Sequence, residues 1–438
     1  MENLSADKIL VVDLGSSQIT ADELSDELVE EKIGGAAIAK HLYAEHADGD
    51  PIVIGTGLLT GTLFPASATA VMTAKSPVSG KICHCPITLK VGLEIQYAGF
   101  DYIVIKGKAE NPTFLWIHDG VADISDAAAV WGKDVWETTD TWRNAMGDVL
   151  IQTLVIGSAG ENGSDFAQVC CNYWSSGDRW GFGKLFGMKN LKGAAFRGMG
   201  LLEIADAEEF VEMSLDVLEE IKEGNFMGHK GVGDICTAMG EADISAWLEP
   251  LVHRHSSCYN TPYPTNTFAC LDDDPKQMAE AEEEETGVLI TDIFGLIGFK
   301  KAGLSATDAC LLLRDCARHG IDATAVAELS HTSGLNTREA IQGTFADLNG
   351  QVTLPGNGIF SPWCPQQPLF SEFENAGADP ALWWERRMAV AYIFGIHPIF
   401  AVMSPEITEE DLVEIAAIGT ELEIDQDTLD KAVNYLLQ

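Results

Sequence analysis

Short apolar runs punctuated by Gly, Pro and Asp fill residues 8–200. Runs 9–13, 52–55, 70–74, 102–106, 113–118 and 154–156 have the length and β-branched content of strands, and turn formers close them. Residues 21–46 and 131–146 predict helices between them. After about residue 203 the period becomes helical. Residues 207–223 set Phe210, Met213, Val217 and Ile221 on one face and stop at Gly224. Residues 304–319 do the same with Ala309, Leu312, Leu313, Cys316 and Ala317 before Gly320. Helices at 383–394, 409–419 and 429–437 complete this half. The acidic tract 272–285 reads as a solvated helix face or loop. Residues 351–380, rich in proline, read as a connection. The pattern predicts an α+β fold in two parts, an N-terminal domain over 1–203 and a mostly helical region over 204–438, without internal repeats.

Composition narrows the function classes. With 438 residues there is room for two to four domains and a large core. The 67 acidic against 27 basic residues give a formal charge of −40, which disfavours nucleic acid and anionic membranes as partners. That excess suits solubility, a saline habitat or a lysine-rich partner. There is no apolar run near the roughly 20 residues of a membrane span, and no basic-then-apolar leader, so a cytoplasmic location is expected. Ten cysteines occur without any C-x-x-C pair, which points to reduced thiols, buried or metal-bound.

Ordered segments then carry a family resemblance. They are Gly34-Gly35-Ala36-Ala37, Gly57-Leu58-Leu59-Thr60-Gly61-Thr62 with Pro65, and Lys75-Ser76-Pro77-Val78-Ser79-Gly80. Glu94, Ala98-Gly99-Phe100-Asp101, Gly107-Lys108-Ala109, Trp131-Gly132-Lys133 and Glu137-Thr138 follow. The glycine-rich stretch 157–192 adds Gly157, Gly160, Gly181, Gly183, Gly187, Lys189, Asn190 and Lys192. Together they resemble the tungsten-dependent aldehyde ferredoxin oxidoreductase family. The resemblance implies an N-terminal double β-sheet domain that carries pterins, with helical domains behind it. It also implies a tungsten-bispterin cofactor beside one [4Fe-4S] cluster, and oligomers with a redox subunit. The family positions present here are Cys258, Arg179, Gly181, Gly183, Lys189 and Asn190.

The chemistry departs from that pattern. A [4Fe-4S] cluster needs four thiolates. The family's local cysteine run aligns with Cys258, Thr261 and Thr265, and its distant fourth cysteine with His397. The pterin segments depart as well. Pro86-Ile87-Thr88-Leu89 stands for N-S-G-G, Ala68-Thr69-Ala70 has no arginine, and Ser175-Ser176-Gly177-Asp178-Arg179 stands for R-A-A-G-R. Both D-x-x-G-L motifs lack their aspartate, in Ala317-Arg318-His319-Gly320-Ile321 and Tyr392-Ile393-Phe394-Gly395-Ile396. The helical half is short for the family between about 325 and 380. Neither cofactor is therefore expected to bind, and no residue is assigned a catalytic role.

Other residues offer weaker chemistry. Cys83-His84-Cys85 and Cys170-Cys171 precede the two former pterin loops, and the family fold brings those loops together. Cys83, Cys85 and Cys170 are thus a candidate metal site, for zinc or another soft metal. The alternative is that small buried cysteines fill vacated space. His253 and His255 read as a surface loop, with His229 further away. Trp383-Trp384 with Arg386-Arg387 reads as a packed helix face with a basic edge, and Glu94 as structural. No nucleophile elbow or Walker loop occurs. The sequence thus predicts a non-catalytic scaffold or partner subunit of a redox complex, as a homo- or hetero-oligomer without nucleic acid or membrane contacts. The alternatives are a tungsten-bispterin oxidoreductase acting on aldehydes or carboxylates, and a binding protein that uses the vacated cavity.

Overall fold

The computed structural model describes residues 3–224, 231–271, 286–345, 358–362, 364–369, 373 and 379–438. The acidic tract 272–285, most of 351–380 and His229 lie outside the described residues. The first sheet contains β1 (Lys8–Asp13), β2 (Gln18–Glu23), β3 (Ile52–Thr56), β4 (Ala70–Lys75), β5 (Ile82–Ile87) and β6 (Tyr102–Lys106), in the order β2-β1-β6-β3-β4-β5. The second contains β7 (Thr113–His118), β8 (Val121–Asp126), β9 (Gln152–Ile156), β10 (Val169–Cys171), β11 (Trp174–Ser175) and β12 (Leu191–Arg197), in the order β11-β10-β9-β12-β7-β8. Each sheet is mixed, with one parallel pair, β1 with β6 and β7 with β12.

Alternation along these strands feeds two cores. Leu10, Val12, Ile52, Ile54, Met72, Ile103 and Ile105 of the first sheet share one cluster with Leu115, Ile117, Leu154, Ile156 and Phe196 of the second. Their neighbours Ile9, Val11, Val53, Val71, Val104, Val155 and Ala195 belong to the cluster formed with the helices. Burial on both faces explains why the runs read as continuously apolar. A slip of one residue would exchange the two cores, so the register is strongly specified.

The helical half holds Ala207–Glu223, Ile293–Lys301, Ala306–His319, Ala323–Ser333, Pro380–Phe394, Glu409–Thr420 and Gln426–Leu437 among its helices. It also holds a three-stranded sheet of β13 (Val252–Ser256), β14 (Asn266–Cys270) and β15 (Gly287–Ile290) that the sequence pattern did not predict. His253 and His255 therefore lie on a strand rather than a loop, with His255 Nδ1 3.2 Å from Thr267 Oγ1. The single helix expected over 21–46 is instead the end of β2 and two helices, Asp26–Lys32 and Gly35–Glu45. Ser25 caps the first, and the chain breaks at Ile33 (φ 66°) and Gly34. The break is forced by contact, since a Cβ on Gly35 would lie 1.7 Å from the Tyr392 carbonyl oxygen. Arg386 pairs with Glu409 and Asp430, and Arg387 donates to the Ala401 and Ile407 carbonyls, so the expected basic edge is spent on internal contacts. Among the described residues no helix is long and apolar enough to cross a membrane.

Candidate functional site

The sheets meet the helices at two matching joints. β3 runs into Gly57 and β9 into Gly157, while Ala306–His319 and Pro380–Phe394 end at the left-handed glycines Gly320 (φ 65°) and Gly395 (φ 81°). A Cβ on Gly57 would lie 2.0 Å from Gly395 N, and one on Gly157 2.2 Å from the His319 carbonyl oxygen. Thr69 N donates to the Gly395 carbonyl and Gln168 N to the Gly320 carbonyl, each at 2.9 Å. The glycines at these motif positions serve backbone-to-backbone contact.

The glycine-rich stretch 157–192 is organised in the same way. A Cβ on Gly183 would meet Gln168 O at 2.6 Å, and one on Gly187 would meet Gly160 O at 2.0 Å. Gly181 (φ 75°) starts the helix Phe182–Met188. Asp178, 1% exposed, receives N–H bonds from Trp180, Phe182, Gly183 and Val169 and the Cys85 thiol at 3.3 Å. Burial lifts its pKa to about 6 against those donors. Lys189 Nζ donates to the Asp50 and Gly107 carbonyls, and Asn190 Nδ2 to the Ala109 carbonyl. Lys192 is buried against Glu161 and the Lys133 carbonyl. The loop's cations thus tie the fold together. The hydroxyls of the segment 175–179 are likewise internal: Ser175 donates to Gln168 and Ser176 to the Val169 carbonyl, and Ser361 donates to the Gly177 carbonyl beside them.

At the cluster positions, Cys258 is 5% exposed and its Sγ accepts from Asn266 Nδ2 at 3.8 Å. Burial pushes this thiol up to about 11. Thr261 Oγ1 donates back to the Cys258 carbonyl, and the fully buried Thr265 side chain lies against the Cys258 thiol. His397 caps the helix Pro398–Met403 through Nδ1, with its pKa lowered by burial to about 3. One thiol, two hydroxyls and a capping imidazole do not fit a [4Fe-4S] cluster.

Cys83, Cys85 and Cys170 are not brought together. Cys83 and Cys85 face the core between the sheets, where Cys171 joins them, whereas Cys170 faces the helical side. Successive residues of a strand point to opposite faces, so the register that admits Cys171 excludes Cys170. Cys170 Sγ sits 3.5 Å from the Ala317 carbonyl oxygen instead. Burial raises all four thiols above the ordinary range. Among the described residues no group of three or more His, Cys, Asp or Glu side chains is placed to hold a metal. His84, between Cys83 and Cys85, is fully buried, with Nδ1 2.8 Å from Thr73 Oγ1 and its ring beside Phe360. The segment around Phe360 pairs with β5 there, through His84 N to the Ile359 carbonyl and Ser361 N to the His84 carbonyl.

Arg179 lines a cleft of about 430 Å³. Its Nε donates to Asp322 Oδ2 at 3.1 Å, and its Nη2 lies 3.5 Å from Glu328 Oε1. Burial works against the charge, but the carboxylates of Asp322, Asp292 and Glu328 outweigh it and hold the guanidinium above its usual range. Burial and Asp322 raise Asp292, and burial raises Glu328. Sequence reasoning missed Asp292 and Glu328; Asp292 was legible as an N-cap before the apolar helix Ile293–Lys301. Glu94 is structural, its Oε1 accepting from Gly198 N and Arg197 Nη1.

Residues 9–198 match the family described as aldehyde ferredoxin oxidoreductase, N-terminal domain. Over 269 residues the chain is 34% identical to a tungsten-containing aldehyde ferredoxin oxidoreductase of Pyrococcus abyssi, covering 60% of this chain and 42% of that protein. It is 30% identical over 238 residues to an aliphatic sulfonate oxidoreductase, WOR-like subunit, of Pyrococcus furiosus, covering 49% of this chain and 38% of the relative. The aligned region thus spans under half the length of these curated relatives. Among solved structures, the active site complex BamBC of benzoyl coenzyme A reductase, in complex with 1,5-dienoyl-CoA, superposes with a TM-score of 0.80. That match covers 99% of this chain and 88% of the other at 16% identity, a likeness of fold.

Proposed function

We infer that this chain, a divergent member of the aldehyde ferredoxin oxidoreductase family, is a non-catalytic subunit that binds neither tungstopterin nor a [4Fe-4S] cluster. The observation that carries this reading is the set at the cluster positions, Cys258, Thr261, Thr265 and His397, which offers one thiolate where four are needed. The pterin side supports it, because Asp178, Lys189, Asn190 and the serines at 175 and 176 spend their polar atoms on the protein's own backbone and side chains. In this reading residues 1–203 and 204–438 are the two structural units. Their role is to present a surface to a second chain, as a homo- or hetero-oligomer with a redox subunit in the cytoplasm. One relative's description as a subunit is in keeping with that.

The test is elemental analysis of protein purified anaerobically from its native host, with mass spectrometry of what co-purifies. The expected result is no stoichiometric tungsten, molybdenum or iron, together with a defined second subunit. Near-stoichiometric tungsten with about four irons per chain would overturn the reading and restore a tungsten-bispterin oxidoreductase for aldehydes or carboxylates.

A further inference from the structure

We propose that one end of the second sheet, with the loop leaving β12, binds a different subunit that offers an apolar centre ringed by lysine and arginine. The assignment rests on the subunit role inferred above and gives that role its place on the molecule. Ten large apolar side chains are exposed among the described residues, and six gather here: Leu63, Val121, Val149, Leu150, Met199 and Leu201. Single exposed apolar residues are ordinary, but a contiguous group marks a contact surface.

Strand register brings the six together. Arg197, the last residue of β12, pairs with His118 of β7, and His118 pairs with Val121 of β8. Phe196 lies opposite Gln152, the first residue of β9, so Val149 and Leu150 arrive at the same end. Arg197 Nε donates to Asp148 Oδ2 at 2.7 Å and Met199 N to Asp119 Oδ1 at 3.1 Å, which ties the loops to one another. On the other side, Gly198 and Gly200 pack on the Tyr97 backbone, and the Tyr97 hydroxyl donates to the Gly61 carbonyl, two residues before Leu63. Met199 and Leu201 are 78% and 91% exposed, although Gly198 N is held by Glu94 and Gly200 N by the Tyr97 carbonyl. A fixed backbone thus holds two large apolar side chains in water, and they gain burial only when another surface covers them.

Charge selects the occupant. Asp119 and Asp123 flank Val121, Asp148 precedes Val149, and Glu203 follows Leu201 by two residues. Against them, Arg197 is spent on Glu94 and Asp148, and Lys8 reaches toward Gly120. A second copy docked through the same patch would set these carboxylates against their own counterparts, in a chain of formal charge −40. A different chain whose apolar patch is bordered by lysine and arginine gains both the burial and the charge pairing.

Carbodiimide coupling, which joins a carboxylate directly to an amine in contact with it, tests the proposal on the complex purified from the native host. Peptide mass spectrometry should find Asp119, Asp123, Asp148 or Glu203 joined to lysines of one different chain present in stoichiometric amount. A tagged double variant, Met199→Asp with Leu201→Asp, should hold that chain at least about tenfold more weakly. Its thermal transition should stay in place, because both side chains are exposed. Leu382→Asp, exposed on the helix Pro380–Phe394, should hold the partner as the parent does. Raising salt from about 0.05 M to about 0.5 M should weaken the complex at least about tenfold. A partner coupled elsewhere and indifferent to the double variant would overturn this surface and leave the subunit role standing. Coupling of these carboxylates to a second copy would overturn the choice of occupant. No bound chain at all would overturn the surface and the subunit role together.

Discussion

Asp178→Asn is the substitution whose effect can be worked from the structure. The Asp178 carboxyl is buried among four backbone N–H donors and the Cys85 thiol, and its pKa rises from 3.8 to about 6. A raised folded-state value means that the native protein binds the proton more tightly than the unfolded chain. The stability it contributes is fully present below pH 3.8 and is lost as pH rises through about 6. Integrating the linkage between pH 5.0 and 7.5 gives a loss of about 1.4 kcal/mol in the parent protein. Asparagine does not titrate. It also turns an NH2 group toward N–H donors, which adds a pH-independent penalty. Chemical denaturation of both proteins, followed by circular dichroism at the two pH values, separates the effects. The gap between parent and variant should shrink by about 1.4 kcal/mol from pH 5.0 to 7.5. A gap that stays constant, or widens with pH, would show that the N–H donors keep Asp178 ionised throughout and refute the reasoning.

Two further outcomes follow from the joints and the thiols. Gly57→Ala and Gly157→Ala should each cost at least about 3 kcal/mol or abolish soluble expression, because the new Cβ meets backbone that cannot yield. Gly343→Ala, at φ −59° with its nearest atoms at 3.4 Å, should be neutral or raise stability by up to about 1 kcal/mol, as read by melting temperature. With Ellman's reagent, the native protein should show at most a fast reaction at Cys270, which is half-buried while the other nine cysteines are buried, and all ten should react after unfolding. Rapid native reaction of Cys83 or Cys85 would contradict the buried core position given to β5.

The sequence made the central strands and the long helices legible because their signals are local. The helix Ala207–Glu223 and the strands β6 and β7 fall at the predicted bounds, each defined by its own periodicity and stop residues. What it hid depends on contact between distant residues. The break at Gly34 and Gly35 answers to Tyr392 and Ile393. β5, with its Cys, His and Pro, earns its strand from pairing with β4 and with the segment around Phe360. β13 to β15 stabilise one another across intervening chain. At the candidate site, the motif glycines were recognisable, but their use against backbone was not. The convergence of Arg179 with Asp292 and Glu328, more than 100 positions away, leaves no local trace.

The two sheets are each built from an unbroken stretch of chain, the first finished at Lys106 and the second running from Thr113 to Arg197. That order shapes the molecule's synthesis. The first sheet can pair completely while the rest is still on the ribosome, yet its inner face of Leu10, Val12, Ile54 and Ile103 then has no cover. It stays exposed until β12 emerges, and the outer side of β5 is left open until translation has passed Ser361. A nascent intermediate with a finished sheet and a bare apolar face is a chaperone substrate and an aggregation risk.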